Sequence, residues 1–307
     1  MSGQPGPPGE AQPPQAAGTR PASHDDDLPD ALKELMARGW EPPSGALPPR
    51  EDVAPYARKR RALLAARFPG EALVVPTGGA RVRANDTDHP FRPGSDFFWL
   101  TGCHEPDAVL VLSPSAAGDH EALLYLADRS DRSTPGFYRD RRHGELWAGP
   151  RRGVRETTAA LEIECRPLSE LPAALARLAP ATTRVLRGLD RRVDERVLPF
   201  DPPPPAPGGP AAAGSTGPPR TRDEELATAL SELRLVKDDY EVAMLEEAVA
   251  ATVRGFEECV RAMPRAAREA RGERWIEGTF WRRARLDGND VGYGSIVACG
   301  AHATTLH

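Results

Sequence analysis

The sequence predicts an α/β protein that is built from two folded segments. Three observations carry this prediction. Short apolar runs end at Gly, Pro or Asp, helical stretches alternate with them, and a break rich in Pro and Gly at 196–225 divides the chain. The first segment spans 50–195 and the second spans 226–307.

The first segment begins with a predicted helix at 51–68, which places Leu63, Leu64 and Phe68 on one side and stops at Pro69. Short apolar runs after it predict strands, and two further helices precede a last strand. The predicted strands lie at 72–76, 97–102, 108–114, 122–127 and 182–188, and the two later helices lie at 155–164 and 169–179. This alternation is typical of a sheet covered by helices.

The second segment begins with two predicted amphipathic helices, at 238–263 and 273–288, and Pro264 follows the first. Apolar residues at steps of three or four form one face of the first helix: Leu245, Val249, Val253, Phe256 and Val260. A strand is predicted at 294–300. Because two helices and one strand do not bury a core, we expect this segment to be the incomplete start of a larger domain.

Composition sets limits on the rest of the chain. The 33 prolines and 28 glycines are too many for 307 well-packed residues, and 1–49 is predicted to be a mostly disordered tail. The acidic run Asp25 to Asp27 is interpreted as solvated charge. A net charge of −5 gives no electrostatic reason to expect nucleic acid as a partner. Without a signal peptide or an apolar span, we expect a cytoplasmic protein that does not engage a membrane.

Few residues carry recognisable chemistry by themselves. The four cysteines, Cys103, Cys165, Cys259 and Cys299, are far apart and are expected to be buried, reduced thiols. His143 and Glu145 are two positions apart, so a helix would turn them to different faces and a metal site is not expected there. Considered alone, His302 and His307 are surface or core histidines.

Several collinear blocks nevertheless resemble one family. In 85–112, a Pro-Phe-Arg, a Ser-Asp-Phe, a Thr-Gly and a Glu-Pro-Asp-Ala follow in the order and spacing of the N-terminal domain of aminopeptidase P. Further blocks at 144–151, 164–171, 232–248 and 292–307 continue the resemblance. Their combination implies a creatinase/aminopeptidase P-type α/β sheet domain, followed by the incomplete start of an α+β pita-bread catalytic domain.

The resemblance implies a metal-dependent aminopeptidase that releases the N-terminal residue from peptides with proline in second position. It also implies two divalent cations, Mn²⁺ in this family, whose ligands are two aspartates, a histidine and two glutamates beyond the position of His307. We therefore expect an N-terminal fragment that holds no metal and is inactive alone. Proline-containing peptides are the implied substrates, and the N-terminal domain is expected to form homo-oligomers.

Three residues match substrate-site positions of the family. His307 matches a histidine beside the metals, Trp147 matches a tryptophan that enters a neighbouring subunit's site, and Asp86 matches an acid at the same opening. The alternatives are a terminal histidine without a role, a half-buried core tryptophan and a turn aspartate. Trp99 and the long linker depart from the family pattern.

Other functions remain open at this point. Pita-bread domains without metals serve as peptide-binding or protein-binding modules, and a prolidase-like dipeptidase shares the fold. A third alternative is that the first segment is a self-sufficient oligomerisation domain.

Overall fold

The computed structural model describes residues 29–36, 38–39, 45–85, 87–115, 118–132, 134–140, 142–200 and 221–305. The chain divides into two compact units. The smaller unit comprises Met1–Ala46 with Asp128–Gly153, and the larger comprises Leu47–Ala127 with Val154–His307. The α/β class predicted from the sequence is confirmed.

Strands and helices are interspersed from Ala72 to Arg196, and further α-helices follow. The strands are β1 (Ala72–Pro76), β2 (Val82–Ala84), β3 (Thr87–Asp88), β4 (Val109–Pro114), β5 (His120–Leu126), β6 (Glu164–Pro167) and β7 (Thr183–Val185). The α-helices are α1 (Asp30–Met36), α2 (Ala54–Arg67), α3 (Ser95–Thr101), α4 (Pro135–Arg139), α5 (Glu145–Ala148), α6 (Val154–Leu161), α7 (Leu171–Ala176), α8 (Arg191–Arg196), α9 (Arg222–Leu233), α10 (Asp239–Ala266) and α11 (Gly272–Asp287). Short 3₁₀ turns occupy Leu168–Glu170, Pro180–Thr182 and Gly300–Thr304.

A five-stranded mixed sheet forms the centre of the larger unit, in the order β6-β5-β4-β1-β7. Strands β1, β4 and β5 pair antiparallel, while β6 and β7 add parallel strands at the two edges. Four of the five predicted strands are therefore confirmed. Strands β2 and β3 form a separate antiparallel pair.

Side chains alternate between the two faces of this sheet, so each face has its own apolar core. One core combines Leu73 and Leu110 with residues of α2, α3, α6 and α9. The other combines Val74 and Val109 with residues of α7 and α8. The sheet is thus the middle layer between two layers of helices.

The prediction of a strand at 97–102 is wrong, because this run belongs to helix α3. Phe97, Leu100 and Thr101 are spaced so that one helical face is buried, and Gly102 ends the helix in the left-handed conformation at φ 71°. A short apolar run does not distinguish a buried helix from a buried strand, which explains the error.

Helix α2 confirms the predicted first helix, but its apolar side differs from the prediction. Leu64 and Phe68 are buried, whereas Leu63 is exposed. Two arginines, Arg60 and Arg61, are buried on the inner face instead. The sequence pattern missed them because charged side chains are rarely buried unless they are paired.

Helix α9 packs into the core of the first segment. Leu226 and Leu230 are fully buried in the same cluster as Leu73 and Leu110. The predicted start of the second segment at residue 226 therefore falls inside a helix whose buried face belongs to the first core. A capping box at Thr221 and Glu224 begins this helix.

Helices α10 and α11 pack against each other as a pair. Phe256 meets Phe280 edge to face with ring centroids 5.6 Å apart, and Gly255 allows the approach of that ring. The five residues of the predicted apolar face of α10, from Leu245 to Val260, are each at least half exposed. Pro264 lies inside the last turn of α10 rather than after it, so the helix extends to Ala266.

The strand predicted at 294–300 is not formed. These residues lie outside regular structure until the 3₁₀ turn that begins at Gly300. A strand needs a neighbour for its backbone hydrogen bonds, and none of the strands in the described part of the chain pairs with this segment.

The smaller unit contains α1, α4 and α5. Helix α1 falls within the predicted N-terminal tail of 1–49, and residues 1–28, including Asp25 to Asp27, lie outside the described residues. Of the four cysteines, three are buried as predicted, but Cys299 is exposed. Among the described residues, no helix is both long enough and apolar enough to cross a membrane.

Candidate functional site

Trp147 is the one predicted site residue that the structure describes. It lies on the single-turn helix α5 with half of its surface exposed, and its indole Nε1–H donates to the carbonyl oxygen of Tyr138 at 2.6 Å. The hydrogen bond fixes the ring edge, so the indole is an oriented aromatic surface and not a freely rotating side chain. An exposed, oriented indole can pack against an apolar ring such as that of proline.

The backbone around Trp147 is held by close packing. Gly144 precedes α5, and a Cβ atom there would overlap the carbonyl oxygens of Asp140, Gly136 and Phe137. Glycine is therefore required where α5 lies against α4. Phe137 and Tyr138 are buried beneath this contact, with ring centroids 5.0 Å apart.

Charged groups reinforce the same loop. The buried carboxylate of Glu145 accepts two hydrogen bonds from Arg129, at 3.2 and 3.3 Å. The backbone N–H groups of Arg142 and His143 both donate to Asp140 at 2.9 Å. Burial would raise the pKa of Asp140, but these N–H groups lower it below its usual value. The side chain of Glu145 thus pairs with Arg129, whereas Nδ1 of His143 lies 3.4 Å from the carboxylate of Asp140.

Within the larger unit, a second arrangement involves His302. Its Nδ1 lies 2.9 and 3.1 Å from the two carboxylate oxygens of Glu273, at the start of α11. The backbone N–H of Cys299 also donates to Glu273 at 2.8 Å, and these bonds lower the pKa of that carboxyl. Glu273 thereby fixes the turn that leads to the last residues of the chain. Sequence reasoning missed Glu273, because no local pattern links residues 29 positions apart.

The other two predicted site residues, Asp86 and His307, lie outside the described residues. The structure therefore neither brings Trp147 together with them nor separates them. Within the described ranges, no group of three or more His, Cys, Asp or Glu side chains is arranged to hold a metal ion. The two cations implied by the resemblance thus find no ligand set among these residues.

Comparison with known proteins identifies the family. The family model described as "Aminopeptidase P, N-terminal domain" matches residues 56–186. Xaa-Pro aminopeptidase 2 of Streptomyces coelicolor is 44% identical over 277 residues, which are 90% of this chain and 54% of the relative. Residues 56–186 belong to the aminopeptidase P N-terminal domain family. The chain spans about half the length of the curated relatives that it matches.

Other aminopeptidase P relatives are consistent with this placement. Xaa-Pro aminopeptidase 1 of S. coelicolor is 44% identical over 280 residues, covering 91% of this chain and 52% of the relative. The Escherichia coli Xaa-Pro aminopeptidase is 33% identical over 108 residues, 35% of this chain and 24% of that protein. The resemblance predicted from the sequence is therefore confirmed at the level of the family.

Solved aminopeptidase P structures share the fold. The Pseudomonas aeruginosa aminopeptidase PepP superimposes with a TM-score of 0.57 at 24% identity, covering 84% of this chain and 55% of that one. The E. coli enzyme with the inhibitor Pro-Leu gives 0.56 at 20% identity, covering 78% and 50%. A zinc-substituted form of the E. coli enzyme is also known, so this neighbour accepts a divalent metal.

Proposed function

We propose that this chain provides the N-terminal part of a metal-dependent Xaa-Pro aminopeptidase. Such an enzyme releases the N-terminal residue from peptides whose second residue is proline. The observation that carries the proposal is the 44% identity over 277 residues to a protein named Xaa-Pro aminopeptidase 2. The match extends through both segments of the chain and is not limited to one motif.

The chemistry of the substrate explains what the N-terminal part would contribute. An Xaa-Pro bond is a tertiary amide without an N–H group, and the proline ring limits how a nucleophile approaches it. A site for this bond therefore needs apolar surface that packs against the ring. The oriented, half-exposed indole of Trp147 fits that requirement.

The proposed substrate-site residues are Trp147, Asp86 and His307. Trp147 supplies packing, while Asp86 and His307 supply polar groups to the substrate. Two divalent cations, Mn²⁺ in this proposal, belong to the complete enzyme. The described residues do not form a ligand set for them, so the roles proposed for this chain are packing and polar contact with the substrate.

The domain division belongs to the same proposal. We propose that 50–195 is the aminopeptidase P N-terminal domain, that 196–225 is a linker, and that 226–307 begins the peptidase domain, with helix α9 at this junction packing onto the first core. The family match to residues 56–186 supports the first of these. A cytoplasmic location and a homo-oligomer formed through the N-terminal domain complete the proposal.

A chimera tests the function. The 277 matching residues of S. coelicolor Xaa-Pro aminopeptidase 2 are replaced by those of this chain, and the unaltered relative is the control. We expect the chimera to cleave an Xaa-Pro-Xaa tripeptide with added Mn²⁺, and to leave the analogue with alanine in second position intact. A folded chimera that shows no turnover beside an active control would overturn the proposal.

The same assay separates the alternatives. A prolidase-like dipeptidase would cleave an Xaa-Pro dipeptide but not the tripeptide. A metal-free binding module would bind the tripeptide without releasing its first residue. No observation on the described residues favours either alternative over the aminopeptidase.

A further inference from the structure

A buried arginine joins the first core to the start of helix α10. The side chain of Arg60 is 4% exposed and extends from α2 toward the first turn of α10. Its Nε and Nη2 donate to the two carboxylate oxygens of Asp238, at 2.8 and 2.9 Å. Its Nη1 donates to the carbonyl oxygen of Trp99 at 3.0 Å. This two-bond geometry between guanidinium and carboxylate is the most directional ion pair available to a protein.

Two aromatic rings and a second acid complete the arrangement. The guanidinium carbon of Arg60 lies 5.3 Å from the ring centroid of Trp99 and 5.9 Å from that of Tyr240. Glu241 lies 3.5 Å from Arg60 and accepts a hydrogen bond from the indole of Trp99 at 3.3 Å. We refer to Arg60, Trp99, Asp238 and Glu241 as the Arg60 clamp.

The clamp uses the same groups that begin the helix. Asp238 is the N-cap of α10 and accepts from the backbone N–H of Glu241, while Glu241 accepts from the backbone N–H of Asp238. The capping box therefore presents both carboxylates to Arg60 in a fixed geometry. The indole N–H and the ring face of Trp99 are both used by the clamp.

The rest of α10 has other partners. Among the described residues, Asp238 and Glu241 make the hydrogen bonds and ion pairs that join the start of this helix to earlier elements. Residues farther along the helix make hydrogen bonds and ion pairs to α11. The turn before α10 is held separately, because Arg234 donates to Asp96 at 2.7 Å. A helix of 28 residues is about 42 Å long, so a rotation of about 10° at its first turn moves its far end by about 7 Å.

We propose that Arg60 is a positioning residue that sets the direction of α10 relative to the α/β core. The inference goes beyond the proposed function and does not depend on it. Without the guanidinium, the carboxylates of Asp238 and Glu241 lose their common partner and repel each other. The helix stays formed, because its caps remain, but its direction is no longer fixed.

Pulsed electron spin resonance on the whole 1–307 chain tests this. Spin labels are attached at Leu63→Cys on α2 and Val253→Cys on α10, both exposed, with Cys299→Ser removing the exposed native thiol. We expect one narrow distance distribution for this labelled parent. Adding Arg60→Met should broaden and shift that distribution, while circular dichroism keeps its helical signal.

Two variants make the test specific. Asp238→Ser keeps an N-cap oxygen but removes the carboxylate, so it should broaden the distribution in the same way and covers the case in which Arg60→Met does not fold. Arg61→Met removes the neighbouring buried guanidinium, which donates to the carbonyl oxygen of Leu100 and has no part in the clamp. It should lower Tm and leave the distribution narrow. A narrow distribution in both clamp variants, or an equally broad one in Arg61→Met, would overturn the proposal.

Discussion

Arg184 on strand β7 and Glu71, which directly precedes strand β1, form a two-bond ion pair with hydrogen bonds of 2.8 and 3.1 Å. Arg222, the first residue of α9, shares the same carboxylate, and Arg184 also donates to Glu225 at 2.7 Å. The guanidinium carbon of Arg184 lies 4.6 Å from the ring centroid of Phe68. One carboxylate therefore joins two neighbouring strands to helix α9.

Because of the ion pair between Glu71 and Arg184, we expect the folded protein to become less stable at low pH. Burial would raise the pKa of Glu71, but hydrogen bonds from Arg184 and Arg222 lower it below the ordinary value of 4.5. A lowered pKa in the folded state stabilises the protein above pH 4.5, and this contribution is lost as the pH falls through the folded-state value. We expect Tm, measured by circular dichroism, to fall as the pH is lowered from about 5 to about 3.

The matched variants are Glu71→Gln and Glu257→Gln. Glu71→Gln should cost about 1–3 kcal/mol at neutral pH and flatten the acid dependence, because two arginines lose their anionic partner. Glu257 pairs with Arg261 on an exposed face of α10, so its variant should change stability little. An acid dependence that persists unchanged in Glu71→Gln would contradict the assignment.

Gly102 gives a prediction about backbone strain. Its φ is 71°, and a Cβ atom there would lie 2.5 Å from Cγ1 of Val53. Gly102→Ala should destabilise the fold by about 2–4 kcal/mol, because left-handed strain and overpacking both contribute. Gly70→Ala is the control: its φ is 77°, but no atom lies within 4 Å of the added carbon. If urea unfolding gives equal losses for the two variants, the contact with Val53 has no energetic role.

Cysteine reactivity follows from burial. Burial raises the pKa of Cys103 to about 12 and that of Cys165 to about 11, and it also raises the pKa of Cys259. Cys299 is exposed. Ellman's reagent should therefore modify one thiol rapidly in the native protein and all four after unfolding. Rapid modification that survives in Cys299→Ser would show that a buried thiol is accessible.

Trp147 gives the prediction that bears on catalysis. In an active chimera, Trp147→Ala should lower kcat/KM for an Xaa-Pro tripeptide about tenfold to hundredfold, since the site loses packing against proline. Metal content should not change, because an indole is not a ligand. Trp147→Phe should recover part of the loss.

The opposite outcome for Trp147 is equally specific. If the indole serves only to hold the loop through Tyr138, Trp147→Ala should lower Tm by several degrees and leave kcat/KM per folded molecule unchanged. That result would remove Trp147 from the proposed substrate site.

Four strands of the central sheet were predictable because short apolar runs bounded by turn residues, such as 108–114, are typical of buried strands. Helix α3 was not predictable, because a six-residue apolar run contains too little periodicity to distinguish a buried helix from a buried strand. The site was less predictable than the fold. The neighbours of Trp147 are close to it in the sequence. The ion-pair partner of Arg60, in contrast, is Asp238, which lies 178 residues away, and no pattern in the sequence encodes such a pairing.

The position of α9 has a consequence for how this protein tolerates change. A shortened version that ends at residue 200 would lose Leu226 and Leu230 from the first core, at a cost of about 1.5–3 kcal/mol for each side chain. The core of the first segment thus takes side chains from residues on both sides of positions 201–220, and a shortened chain keeps this core whole only if it retains α9.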